Sequence, residues 1–496
     1  MQTDVSLRDA ALILPEIVLA VWASFILTID LFIERSKSGH RIILVLSLVG
    51  VLIAMVSTLT LAGQNTTAFF GSVVVDNFAV FFKVIFLLAA GLVLLSADHL
   101  IERVGENAAE FCGLILFCTA GLMFMASSYE LMTIYLSLEI SSLSLAFLAA
   151  WNKRELRSSE AGLKFFVLSA VSSGILLFGM ALMYGIAGST SLKDIGRALT
   201  TATASPASLL AMSMLIAGFG FKISAVPFQM WTPDVYEGAP TPITAFMSVA
   251  SKAAGFAVIM RIFDVALGAG AIETVWRDLF VVLSLVTMTV GNLAALLQTN
   301  LKRMLAYSSI GHVGYMLMGL AAAATPGADA PGTFGLSSVL FYLLVYTFTN
   351  VGAFAVIIVM SRYAEGEDIG QFAGLARRAP LLSVILTLCL LSLAGLPPLA
   401  GFFSKLYLFF AAAQAGLYIT VVWGVLNSAI SLYYYARVIK SMYLAEPTSD
   451  EKVQIQIAPA VSLAAAAIGV LAIGLLSEPF IRAATGAANT AFTVVR

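Results

Sequence analysis

Charge is what this sequence has least of. Only 11% of its 496 residues are Asp, Glu, Lys or Arg, against about 25% in soluble domains, while 60% are hydrophobic. With a mean hydropathy of +0.97, a soluble globular domain is excluded and a polytopic membrane protein is expected. Histidine and cysteine are scarce too, at three each. Cys112, Cys118 and Cys389 sit in apolar runs without metal-ligand spacing, so they read as small core hydrophobes rather than disulfides or cluster ligands. The net charge is −1 and no basic run is long enough to suggest nucleic acid. No Gly-rich dinucleotide turn follows a strand, and no connection is long enough for a soluble domain. Electron transfer is therefore not expected on this chain.

What is present is a series of apolar runs, each of about the 20 residues that cross a hydrocarbon core. Fourteen are legible, near 10–33, 41–62, 77–97, 110–128, 130–151, 160–187, 207–237, 241–262, 279–299, 303–323, 334–361, 380–413, 416–442 and 457–476. The first is too long for a signal-peptide core and ends in Asp30 and Glu34 without a small-residue cleavage site, so it is expected to stay as a span. Two runs exceed one crossing and carry proline in mid-run: Pro227 in 207–237, Pro397 and Pro398 in 380–413. Each predicts one discontinuous helix. Broken helices at matching places in two halves point to an internal repeat. The units would be spans four to eight and nine to thirteen, and five spans being odd, the second would be inverted.

The expected fold class is all-α and polytopic, with about 14 transmembrane helices and two inverted five-helix repeats, each with one discontinuous helix. The expected organisation is an N-terminal three-helix segment (1–105), a first five-helix unit (106–265), a second, inverted unit (266–445) and a C-terminal helix (446–496). Of the 27 Lys and Arg residues, 15 fall in loops on one side and 7 on the other, among the latter Arg261. The positive-inside bias then places both termini outside.

The remaining five cations lie within spans, and all are read as lysines: Lys83, Lys164, Lys222, Lys252 and Lys405. Lysine releases its proton when its surroundings demand it, and arginine does not, so a lysine set suits a proton relay. Lys83 and Lys164 lie within two turns of a span end, where snorkelling to the headgroups serves as well as function. Lys222, Lys252 and Lys405 lie deeper, and intramembrane charge is functional by default. Glu139, midway along 130–151, has no basic residue within a helical turn and is expected within ion-pair or single-water reach of Lys222 on another helix. Glu16 is a weaker acid candidate, nearer the boundary. His312 is the one histidine inside a span and shares a helix face with Ser308. Structural glue would account for it too.

The stretch Trp231-Thr-Pro-Asp-Val-Tyr-Glu-Gly-Ala-Pro-Thr-Pro-Ile-Thr-Ala-Phe through Ser251-Lys252, together with Leu301-Lys-Arg-Met-Leu-Ala-Tyr-Ser-Ser-Ile, resembles a known family over essentially the whole chain. That family is the antiporter-like membrane subunits of bacterial proton-pumping NADH:quinone oxidoreductase (respiratory complex I). Where sister subunits and multi-subunit sodium/proton antiporters carry histidine after the Pro-Thr-Pro element, this chain has Phe246-Met-Ser-Val, which favours the N-type subunit. The resemblance implies fourteen helices, a central polar axis, and essential charged positions at Glu139, Lys222, Lys252 and Lys405. It gives Ser141 and Ser142 no role. It also implies a bacterial inner membrane, other complex I subunits as partners, and NADH, FMN, iron–sulfur clusters and quinone held by those partners, with no cofactor or metal on this chain. The expected function is proton translocation along Glu139, Lys222, Lys252, His312 and Lys405, driven by redox chemistry elsewhere. A subunit of a cation/proton antiporter is the alternative, and a purely structural anchor with dispensable charges a third.

Overall fold

The computed structural model describes residues 7–33, 37–104, 107–201, 205–268, 271–324, 333–363, 366–447, 449 and 451–491. The boundary expected at 105 therefore lies outside the described residues. Helices α1 (Leu14–Ile29) and α2 (Lys37–Thr60) lead into a small antiparallel hairpin, β1 (Thr66–Ala68) and β2 (Val73–Val75), with Thr67 opposite Val74. Alternation over so few residues is too short to stand out from the flanking apolar runs, so the all-α expectation missed it. The chain continues through α3 (Asn77–Ser96), α4 (Ala108–Ser127), α5 (Leu131–Ala149) and α6 (Leu156–Ala187). The Asp76 carboxylate caps α3 by accepting from the Ala79 amide at 2.7 Å.

The first break follows. α7 (Pro206–Ile223) stops at Ser224, which takes a left-handed φ of 67°, and the chain resumes as α8 (Trp231–Gly238). In hydrocarbon, freed backbone groups must be satisfied inside the protein. Here the Val226 amide donates to Thr287 Oγ1 at 3.1 Å and the Trp231 indole donates to the Phe221 carbonyl at 2.9 Å. The next span, Thr241–Ala266, is α9 (Thr241–Phe246), a π turn (Met247–Ser251), α10 (Lys252–Arg261) and a second π turn (Ile262–Ala266).

Helices α11 (Ala271–Leu296), α12 (Leu301–Ala323) and α13 (Thr333–Met360) precede the second break, between α14 (Pro380–Ala394) and α15 (Ala400–Gln414). Gly395 is required there twice over: its φ is +89°, and a Cβ would stand 2.8 Å from the Lys405 side chain. Ser392 Oγ accepts from the Gly401 amide at 3.0 Å, and Ser428 Oγ donates to the Ala394 carbonyl at 3.1 Å. Each break contains a cis X–Pro bond, Val226–Pro227 and Pro397–Pro398. The chain closes with α16 (Tyr418–Leu444), α17 (Ile457–Leu475) and a surface helix, α18 (Ser477–Thr490).

Among the described residues, twelve helices are long and apolar enough to cross a membrane, making this a multi-pass membrane protein. Hydrophobic surface is widely exposed, as at Phe178 on α6 and Ile419 on α16, as expected where lipid or a neighbouring subunit is the solvent. The span Thr241–Ala266 and α13 are by contrast encased in protein on nearly all sides, and α12 is almost wholly buried. These three form the interior.

Several boundaries moved. α11 starts at Ala271 rather than near 279, because Glu273, Arg277 and Asp278 mask its first turns in a hydropathy reading. Lys302, just outside the span expected at 303–323, is 2% exposed in the first turn of α12, donating to the Ala239 carbonyl at 2.9 Å and to Glu367 at 3.0 Å. Arg261 is not an external loop cation. It lies buried inside Thr241–Ala266, so the in-span cations are not all lysines. Its guanidinium grips both Asp76 oxygens, at 2.7 and 2.8 Å, donates to the Ala126 and Ala491 carbonyls at 3.3 and 3.0 Å, and stacks on Phe78 at 4.5 Å. This knot ties the start of α3 and the end of α10 to the end of α18.

Candidate functional site

Glu139, Lys222, Lys252, His312 and Lys405 come from five different helices; the three lysines and the histidine are buried in the interior beside hydroxyl groups, and Glu139 is only half-buried. Lys222 stands in the last turn of α7, just before the break, 4% exposed. Its ammonium donates to Ser142 Oγ at 2.9 Å and, more weakly, to Ser141 Oγ at 3.5 Å. A direct ion pair with Glu139 is not made: no contact within 4 Å joins the two, Glu139 Oε1 has no aligned hydrogen-bond partner, and the carboxylate acts on the ammonium over a longer distance. The reason is helical phase. Leu138, Ser141, Ser142 and Leu145 share the buried face of α5, whereas Glu139 sits half-buried beside the outward stripe of Leu136, Ile140 and Leu143. The two serines that received no role are the lysine's nearest polar partners. Ser142, Ser169, Ser172, Ser173 and Lys222 line a cavity of about 10 Å³, near the threshold for one water.

Lys252 is the first residue of α10, directly after the π turn, and is 1% exposed. It donates to Ser309 Oγ on α12 and lies over the Tyr236 ring at 5.5 Å. The π turn before it is the kind of local widening found at functional sites. Asn350 on α13 donates into it, to Ser248 Oγ at 2.6 Å.

Next to Ser309, Ser308 Oγ is hydrogen-bonded to Tyr435 OH, which also meets His312 Nε2 at 3.2 Å, and His312 Nδ1 is bonded to Tyr342 OH. The imidazole is thus held by tyrosines from α13 and α16, while Ser308, the expected partner, reaches it through Tyr435. On the far side, a cavity of about 10 Å³ is lined by His312, Tyr342, Thr349, Ser392 and Lys405. Lys405, on α15, donates to Ser428 Oγ at 2.8 Å and to the Ala394 carbonyl at 3.0 Å, with the Tyr315 ring 4.9 Å away. From Lys252 a set of contacts runs through Ser309, the adjoining Ser308, Tyr435 and His312 to the cavity shared with Lys405, while Lys222 holds its own pair of serines on α5. Among the described residues no group of His, Cys, Asp and Glu could hold a metal.

Tyr342 and Tyr435 were missed in the sequence. Their signal was there: a phenol deep in an apolar span needs a partner. Of the two lysines assigned to span ends, Lys164 fits that reading and Lys83 does not. Lys164 is half-exposed and bonded to Asp234 at 2.8 Å and Glu160 at 2.7 Å, in a cluster with Arg303, Glu237 and Arg157 around a cavity of about 170 Å³. Lys83 does not snorkel at all. It is wholly buried, 2.7 Å from an equally buried Glu16.

The chain is similar to known proteins over most of its length. The family model described as NADH:quinone oxidoreductase/Mrp antiporter, TM, matches residues 128–431. A curated relative from Trichlorobacter lovleyi, "NADH-quinone oxidoreductase subunit N", is 47% identical over 442 residues, 88% of each chain. A chain of the solved respiratory complex I from Thermus thermophilus superimposes with a TM-score of 0.79 at 32% identity, covering 94% of this chain and 98% of that one. A chain of the Mrp complex from Dietzia superimposes with a TM-score of 0.85 over 98% of each, at 21% identity, a likeness of fold alone.

Proposed function

The chain belongs to the NADH:quinone oxidoreductase/Mrp antiporter family of membrane proteins, and from that premise we propose that it is the proton-translocating membrane subunit of an NADH:quinone oxidoreductase, in the place subunit N holds in its relatives. The near full-length likeness to those relatives carries this reading. Its partners are the other subunits of the complex, where NADH, FMN, iron–sulfur clusters and quinone belong. Protons move along Glu139, Lys222, Lys252, His312 and Lys405, and the supporting geometry is that Lys222, Lys252 and Lys405 each rest on neutral hydroxyls or a carbonyl rather than on a carboxylate within bonding reach. A cation so held is free to become neutral without stranding a buried anion.

The reading extends to architecture. Fourteen crossings result when α12 and the broken pair α14–α15 are added to the twelve apolar spans. An even number is supported by Arg261, which gathers Asp76 and the Ala491 carbonyl at one end of the bundle. The spans group into a three-helix segment (1–105), two inverted five-helix units (106–265 and 266–445) and a C-terminal part (446–496). Each unit has one break with a lysine head at it. The chain sits in a bacterial inner membrane with both termini periplasmic.

The test is the number of protons moved per electron pair by the purified complex in liposomes. Lys252→Met is expected to assemble and to lower that number; an unchanged number in an assembled variant would remove Lys252 from the path. Autonomous sodium/proton exchange by the isolated chain would instead favour the antiporter alternative. Ser142→Ala gives a finer check. A hydrogen bond to a charged group is worth about 1.5–3 kcal/mol, so pumping is expected to fall about tenfold with assembly intact. Wild-type rates would make the Ser142 contact incidental.

A further inference from the structure

Two buried ion pairs hang from α3, seven residues apart, and they are built differently. Asp76 and Arg261 form a saturated clamp: both carboxylate oxygens accept from the guanidinium, the same guanidinium reaches two carbonyls, and Asp76 also caps its helix. Arginine keeps its proton, so this pair has one state. Glu16 and Lys83 meet at 2.7 Å with both side chains wholly buried. Yet the approach is off the hydrogen-bond direction, and neither Glu16 oxygen nor the Lys83 ammonium has an aligned partner. A clamp selected to hold helices together would align these atoms, as the Asp76 and Arg261 atoms are aligned.

We propose that Glu16 and Lys83 form a second proton-exchanging site, separate from the Lys222–Lys405 run. Both lie outside residues 128–431, the part of the chain that matches the family model. The proposal rests on the proton-translocating reading above and adds a site to it. The chemistry balances within the pair. Breaking one Lys83 N–H bond and forming a Glu16 O–H bond turns carboxylate and ammonium into carboxylic acid and amine, with no change in net buried charge. The pair then accepts a proton at the amine, or yields one from the acid, passing through a single buried charge at each turn. The helix that carries Lys83 also borders the run: α3 packs against α9, the π turn before Lys252, and α10.

The two roles part on one substitution. Replacing both members of a structural pair by apolar residues of similar size is neutral or stabilising in many proteins, whereas removing one strands the other. Glu16→Leu combined with Lys83→Met, in the purified complex in liposomes, is expected to assemble and transfer electrons while moving protons about tenfold more slowly, a change of about 1.4 kcal/mol. Wild-type proton movement in the assembled double variant overturns the proposal. Should that variant fail to assemble, infrared difference spectra of the wild-type complex during turnover decide. A carboxylic-acid band that disappears in Glu16→Gln is the expected result, and no such band in the wild type overturns the proposal. Lys252→Met, measured in parallel, separates the two ideas: full pumping there defeats the axis reading, while the Glu16 band is read independently of it.

Discussion

Lys222→Arg is expected to give an assembled complex that pumps at least about tenfold below wild type, a loss of about 1.4 kcal/mol in the limiting step. Arginine keeps the positive charge and much of the volume at this buried site, but it does not release a proton. It would also crowd Ser141 and Ser142, which now hold the ammonium. Lys222→Ala removes charge and titration together and is expected to be as inactive. The pair of variants therefore separates a fixed charge from a proton carrier. Full pumping by assembled Lys222→Arg would show that only the positive charge is needed, and the path would bypass Lys222. The missing contact with Glu139 sharpens the point. At an effective dielectric near 20, two unit charges attract by about 4 kcal/mol at 4 Å and less with distance. A shift of a few ångströms that brought Glu139 to Lys222 would thus change the balance between charged and neutral lysine substantially.

Arg261→Leu is expected to abolish assembly rather than to slow turnover. It leaves Asp76 buried without its cation, and breaking one side of a buried pair costs about 3–5 kcal/mol, a large share of a typical net stability of about 5–15 kcal/mol. Native gel electrophoresis of membranes should show little intact complex. Adding Asp76→Asn is expected to recover much of it, since asparagine still caps α3 and carries no charge. Wild-type complex levels in the single variant would mean the knot at Asp76, Arg261 and Ala491 does not bear on stability.

Much of the fold was legible because hydrocarbon imposes simple rules. Run length located, among the described residues, twelve helices long and apolar enough to cross a membrane, and proline in overlong runs located both breaks, near Pro227 and Pro397. The three deep lysines stood out because charge is costly there. What the sequence hid is pairing across helices. Glu139 and Lys222 looked complementary because each lacked a local partner, but helical phase turns the serines inward instead. Lys83 looked like a boundary residue by its distance from a span end, yet α1 supplies Glu16 against it. Arg261 looked external for the same reason. Tyr342, Tyr435 and Asn350 carry no charge, so a search for charge passed over them.

The two breaks bear on how a lone ammonium is kept in a membrane without a matching carboxylate. Lys222 precedes its break and Lys405 follows its own, which makes the two halves look mismatched. In space the mismatch shrinks: Lys222 occupies the final turn of α7, and Lys405 reaches back to the carbonyl of Ala394, the last residue of α14. Both lysines therefore belong to the C-terminal end of a shortened helix, Lys222 by its place in the last turn and Lys405 by its contact with the final carbonyl. Aligned peptide dipoles place about half an elementary charge at such an end, contributing up to about 2 kcal/mol to a nearby cation in partly buried settings. Cutting a helix in two in mid-membrane creates that pole where an intact span has none. The field is fixed in the backbone, unaffected by the protonation of any side chain, so it stays in place each time a lysine gains or loses its charge.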